Sequence, residues 1–147
     1  MFLDCMRAPE LRRAQPADWN GHMTQRNGNA VVKLAEKLAA FDEQWSPRIV
    51  ARLNDYEFKV VKVQGEFVWH HHEDVDEMFL VVKGRFTMRF RDRDVVVEEN
   101  EFVIVPKGME HCPVAEEEAH VLLFEPKTTR NTGNVVNERT REKLDRI

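Results

Sequence analysis

The stretch Gly65–Gly84, GEFVWHHHEDVDEMFLVVKG, decides how the rest of the chain is read. Its spacing is Gly65, four residues, His70, one residue, His72, four residues, Glu77, six residues, Gly84. Side chains alternate along an extended strand, so His70 and His72 project from one face and His71 from the other. An acidic turn follows, and Glu77 then enters an apolar strand, MFLVVK, that runs to Gly84. Imidazoles and a carboxylate converging from neighbouring strands suit a first-row divalent metal. Glu73, Asp74 and Asp76 compete with Glu77 for this role. Glu77 is preferred because a strand can aim it rigidly, whereas Asp76 points to the opposite face. A further donor is offered by ENEFVIVPKGMEHCP, where Pro106, Gly108 and His111 fall in a strand, a turn and the start of the next strand.

These two stretches resemble the two signature motifs of the cupin superfamily. The first carries a glycine, two histidines separated by one residue, a glutamate and a closing glycine. The second carries a glycine, then proline-x-glycine, then histidine. Asn100 stands where the second motif usually opens with glycine, and asparagine also tolerates the left-handed turn required there. Ala115 stands where a closing asparagine is common. The resemblance covers roughly Ser46 to Pro126 and is nearest to small single-domain cupins loosely labelled mannose-6-phosphate-isomerase-like. It implies an all-β double-stranded β-helix, a jelly-roll barrel. It also implies His70, His72, Glu77 and His111 as ligands of one divalent transition metal (Fe, Mn, Zn, Ni, Co or Cu). Five fixed positions in the first motif would arise by chance at roughly one in a million start points, taking about one in twenty per position. The signal is specific for fold and metal, and much less so for reaction, because one fold hosts many chemistries.

Composition agrees with a globular domain. The 147 residues fit one domain, long enough to bury a core without disulfides. The balance of 22 basic against 26 acidic residues, net charge −4, disfavours nucleic acid or an anionic membrane surface as the main partner. No apolar run approaches the roughly 20 residues of a membrane span. Cys5 and Cys112 stand in very different contexts, so reduced thiols and a cytoplasmic location are expected.

Residues 1–29 are polar and irregular and carry no chemistry. They read as a disordered arm, or as an upstream extension with Met23 as the natural start. Ala30–Trp45 reads as an amphipathic helix with Val31, Leu34, Leu38, Phe41 and Trp45 on one face, stopped by Pro47. It would close one end of the barrel or serve a dimer. From Arg48 the signals are strands: RIVARL and YEFKVVKV joined at Asn54-Asp55, then FVWHH, MFLVVK, RFTMRFR, DVVVE, EFVIVP, HCPVA and AHVLLFEP. The single cupin domain with its leading helix is expected over 30–126. Residues 127–147 form a polar tail that wraps the barrel, reaches a partner subunit or is disordered at its end, with a short helix over Arg139–Ile147 as one option.

Candidates for core or cavity wall are Val60, Phe67, Trp69, Met78, Leu80, Phe86, Met88, Phe90, Phe102, Ile104, Leu122 and Phe124, with Tyr56 and Gln64 as polar contacts. Arg89 and Arg91 alternate with the apolar face and are expected in solvent. Cys112 should pack on the side opposite His111, His71 should stand aside from the ligands or support them, and His120 should lie on the barrel surface. Three histidines and a carboxylate leave open coordination positions, as a catalytic site does. The leading expectation is a metal-dependent isomerase or dioxygenase acting on a small polar metabolite. The alternative is a cupin that binds or senses a small molecule without catalysis, and a structural dimer with a vestigial site ranks last. A homodimer is expected from the resemblance and from sheet edges that want covering.

Overall fold

The computed structural model describes residues 30–147. The expectations for residues 1–29, for Met23 and for Cys5 lie outside that span. Among the described residues one short helix, α1 (Leu34–Leu38), precedes seven strands. They are β1 (Arg48–Leu53), β2 (Tyr56–Glu66), β3 (Glu77–Lys83), β4 (Arg85–Phe90), β5 (Asp94–Glu98), β6 (Phe102–Val105) and β7 (His111–Pro126).

All strand pairing is antiparallel, and β7 organises it. The first residues of β7, His111–Val114, pair with β4, and its later residues, His120–Phe124, pair with β3. Along its other edge β7 pairs with β2. One strand thus passes from the β4–β5 layer into the β1–β2–β7–β3–β6 layer, and the sheet closes into a jelly-roll barrel. HCPVA and AHVLLFEP, expected as two strands, are this single strand. Gly65 does not break β2 either: it sits at a bulge, with the register shifting between Val63 and Gly65, and pairing continues to Glu66. The β3–β4 hairpin turns at Gly84, where φ is +78° and a Cβ would crowd the Glu118 carbonyl oxygen at 3.2 Å. Asn100 takes the left-handed turn expected of it, at φ 67°.

The interior is filled by Val61 and Val63 of β2, Phe79 and Val81 of β3, Phe86, Met88 and Phe90 of β4, Val105 of β6 and Val121 and Leu123 of β7. Half of the expected core residues are buried: Phe67, Phe86, Met88 and Phe90 inside the barrel, and Val60 and Leu122 in a second core cluster. Met78, Leu80, Phe102, Ile104 and Phe124 lie on the same outer face and are not fully buried. Phe102 and Ile104 are 60% and 55% exposed, while Val60 and Leu122 join a second cluster on the outer face with Leu38, Phe41 and Val50. These strands are apolar on both faces because the outer face is itself partly covered, so composition could not choose the parity. Tyr56 also lies outside, stacked on Phe124 at 5.1 Å, and Trp69 lies beneath the Arg91 guanidinium at 3.8 Å. Gln64 is exposed, its backbone carbonyl accepting from the Trp45 indole N–H at 2.8 Å.

The leading helix is far shorter than expected. It ends at Leu38, Val31 is 85% exposed, and Trp45 has a left-handed backbone with φ 56°. Trp45 leaves the helical path to enter the barrel mouth, where it stacks on Phe67 at 4.8 Å. Such a backbone costs of order 1–3 kcal/mol. An indole that buries roughly 200 Å² gains about 5 kcal/mol at about 25 cal/mol/Å². Burial therefore outweighs the strain.

The tail is ordered against the barrel without a helix. Arg146 bridges to Ile49, the Ile147 N–H donates to the Ile49 carbonyl at 3.0 Å, and Thr132 is fully buried.

Candidate metal centre

His70 and His72 come from the segment after β2, Glu77 opens β3 and His111 opens β7. A two-way backbone bridge joins the first and last: the His70 N–H donates to the His111 carbonyl at 3.0 Å and the His111 N–H returns to the His70 carbonyl at 2.9 Å. Their rings lie 4.2 Å apart, centre to centre. Alternation holds through His70–His72 although the segment is not a regular strand: His70 and His72 are buried, and His71 is only partly so. All four side chains are buried, and one ligand atom from each lies within 4.8 Å of the others.

The chemistry of these atoms is set by their outer partners. His70 Nδ1 lies 2.9 Å from the Val68 carbonyl oxygen, and His111 Nδ1 lies 2.9 Å from that of Met109. A carbonyl only accepts, so in the neutral ring each Nδ1 carries the hydrogen and each Nε2 keeps a lone pair. Burial first, and then the neighbouring His111, pushes His70 down to about 4, so its ring is neutral near pH 7. Glu77 Oε2 lies 3.1 Å from His72 Nε2 and 3.5 Å from His111 Nε2. These three buried atoms have no hydrogen-bond partner. Unpartnered buried polar atoms are costly, and a shared cation would satisfy all three together. Three imidazoles and one carboxylate could hold a divalent transition metal with positions left open.

The competing candidates lie elsewhere. Asp76 accepts from the Lys107 backbone N–H at 2.9 Å, and His71 pairs with Glu73 at 2.8 Å. His120 pairs with Glu118 at 2.9 Å on the barrel exterior. Cys112 is buried on the side opposite His111, and burial pushes its thiol up to about 11, which leaves it inert. Arg89 and Arg91 pair with Glu66 and Glu110 toward solvent.

Beside the cluster is a small cavity, about 40 Å³ of space for water centres. Its wall is almost wholly apolar, with Trp45, Phe67, Phe79 and Phe86 as aromatic members and His70 and Glu77 at one side. Asn131 also lines it, but its side chain is taken up by the tail backbone, donating to the Arg139 carbonyl and accepting from the Arg141 N–H.

Two groups of residues bear on the site that sequence reasoning missed. The tail clamps the histidine segment: the His71 N–H donates to Asn134 Oδ1 at 2.9 Å, and the Asn134 N–H donates to the His71 carbonyl at 3.0 Å. The barrel interior also holds Glu57, Lys59 and Glu125, all buried. Burial and the Glu77 charge push the Glu125 carboxyl well above its usual range, against the pull of Lys59. The signal for them was their parity, since Glu57 and Lys59 alternate in step with Val61 and Val63, and Glu125 with Leu123.

Residues 58–125 match the Cupin domain family. A solved cupin-2 domain containing protein from Shewanella frigidimarina NCIMB 400 is 45% identical, with a TM-score of 0.65, over 66% of this chain and 95% of that one. The chain belongs to the cupin family. Protein NMB1881 from Neisseria meningitidis, also of known structure, is 31% identical with a TM-score of 0.62, over 67% of this chain and 100% of that one. The uncharacterized protein YdbB of Bacillus subtilis (strain 168) is 35% identical over 63 residues, 42% of this chain and 56% of YdbB. The cupin match ends at residue 125, so the clamping tail lies outside it.

Gly133 makes the tail's role testable. It has φ +52°, and a Cβ there would collide with the His71 carbonyl and stand 3.1 Å from His70 Cδ2. Gly133→Ala is expected to shift the His70 ring resonances by NMR and to weaken zinc binding about tenfold or more. A folded variant with unchanged resonances and affinity would show that the tail does not position this segment.

Proposed function

We propose that this cupin binds one divalent transition metal through His70, His72, Glu77 and His111 and presents it to a small organic ligand in the adjoining cavity. The observation that carries the reading is the convergence of three buried donor atoms, on His72, Glu77 and His111, that have no hydrogen-bond partner. The bound metal would supply Lewis-acid polarisation of a ligand oxygen, or redox chemistry if it is iron. His70 and His111 would keep their lone pairs aimed at it through their carbonyl contacts. The apolar wall favours a compact ligand whose oxygen atoms are confined to the end facing the metal.

The reading includes catalysis of isomerase or dioxygenase type. Among the described residues that line the cavity, only His70 and Glu77 can titrate, and both belong to the ligand set. That favours chemistry led by the metal over proton transfer by a separate side chain. The same observation supports the second reading, a cupin that binds or senses a small molecule without turning it over.

We further propose that two copies pair through the outer sheet face, where Tyr56, Phe102 and Ile104 are 44%, 60% and 55% exposed.

Protein purified without a tag or chelator is expected to carry close to one metal per chain, and a folded His70→Ala/His72→Ala variant is expected to lose it. Iron would direct assays to oxygen uptake with candidate substrates, and zinc or manganese to isomerisation. No metal in the wild type, even after reconstitution, would overturn the metalloprotein reading and leave a metal-free ligand-binding barrel. Gel filtration at twice the 17.3 kDa chain mass is expected, and elution at the chain mass itself would overturn pairing.

A further inference from the structure

Three glutamates stand side by side inside the barrel. Glu57 of β2 is directly opposite Glu125 of β7, and Met78 of β3 is opposite Phe124, which sets Glu77 alongside Glu125 on its other side. Glu57, Glu125 and Glu77 are 2%, 1% and 3% exposed. Lys59, 1% exposed, meets this row with its Nζ 2.7 Å from Glu125 Oε1 and 3.5 Å from Glu57 Oε2. Arg52 pairs with Glu57 at 2.7 Å at the outer end. Buried charges persist in an apolar interior only when paired, and a buried pair seldom adds net stability over apolar residues of the same size. The row therefore needs a reason other than stability, and its inner end supplies one: it terminates on Glu77.

We propose that Lys59 and Glu125 form a positioning pair for Glu77, in which Lys59 fixes the Glu125 carboxyl and Glu125 holds the Glu77 carboxylate in register with His70, His72 and His111. This inference rests on the metal-binding reading and extends it. Lys59 engages only Oε1 of Glu125; Oε2 is buried without a hydrogen-bond partner, and the β3–β7 register sets residue 125 beside Glu77. Outer partners of this kind orient ligating carboxylates, and their loss typically lowers metal affinity 10–100-fold. The pair holds Glu77 from behind, while the backbone carbonyls of Val68 and Met109 fix the rings of His70 and His111.

The test uses the full chain loaded with cobalt(II), with three readouts: thermal unfolding, cobalt affinity by titration, and the cobalt d–d spectrum. The variant Lys59→Met/Glu125→Leu removes both charges together, and Glu57, which loses Lys59, keeps its ion pair with Arg52. Glu125→Gln keeps the length and shape of the side chain and an acceptor for Lys59. The double variant is expected to fold, to bind cobalt about 10–100-fold more weakly and to show an altered spectrum, while Glu125→Gln stays close to wild type. Wild-type affinity and spectrum in the double variant would overturn the proposal and leave the pair a structural role. Equal damage in Glu125→Gln and in the double variant would overturn the hydrogen-bonding part of it. If wild-type protein takes up no cobalt, the metal reading itself fails, and the positioning role fails with it.

Discussion

A carboxylate and three imidazoles meet in the buried interior of a small barrel, with Glu77 Oε2 within 3.1 and 3.5 Å of two ring nitrogens. Such groups cannot be brought together cheaply. Each loses its water, and their lone pairs face one another, so the surrounding structure must hold them in place. Much of the fold can be understood as that holding. β7 delivers His111 from the β4–β5 layer and pairs with β3 in the other layer, so its bend between the layers sets the distance between His111 and Glu77. The His70–His111 backbone bridge fixes the histidine segment against β7, and two backbone carbonyls fix the tautomers of their rings.

Elements outside the residues matched to the cupin domain complete the enclosure. Trp45 accepts a left-handed backbone to place its indole over the cavity, stacked on Phe67. The tail crosses the histidine segment at Gly133 and Asn134, and Arg139 reaches back to within 5.9 and 5.6 Å of the Trp45 and Phe67 rings. Its guanidinium also donates to the Glu66 carbonyl at 2.6 Å.

The cluster of His70, His72, Glu77 and His111 was legible in the sequence because these residue types are chemically distinctive and their spacing follows strand alternation. The jelly-roll class was legible for the same reason, together with frequent turns. The direction in which each strand faces was not. YEFKVVKV carries Phe58, Val60 and Lys62 on one face and Glu57, Lys59, Val61 and Val63 on the other, and only the second face looks inward. Hydrophobicity alone prefers neither. Glu77 itself held the answer, since an inward carboxylate at that position carries Phe79 and Val81 inward with it. The helix failed differently: its apolar spacing was real, but the residues were drawn to two separate places, Leu38 and Phe41 to the outer sheet face and Trp45 to the barrel mouth. The buried Glu57–Lys59–Glu125 row was missed, despite its parity with Val61, Val63 and Leu123, because charged residues in strands usually face water.

The most direct measurement is a crystal structure of the manganese- or zinc-loaded protein with diffraction recorded on both sides of the metal's absorption edge. The account predicts one strong anomalous peak per chain, lying among His70 Nε2, His72 Nε2, His111 Nε2 and the Glu77 carboxylate at ordinary coordination distances of about 2.0–2.2 Å. A fully loaded crystal with its peak at any other group of side chains, or with Glu77 turned away from the ion, would contradict it.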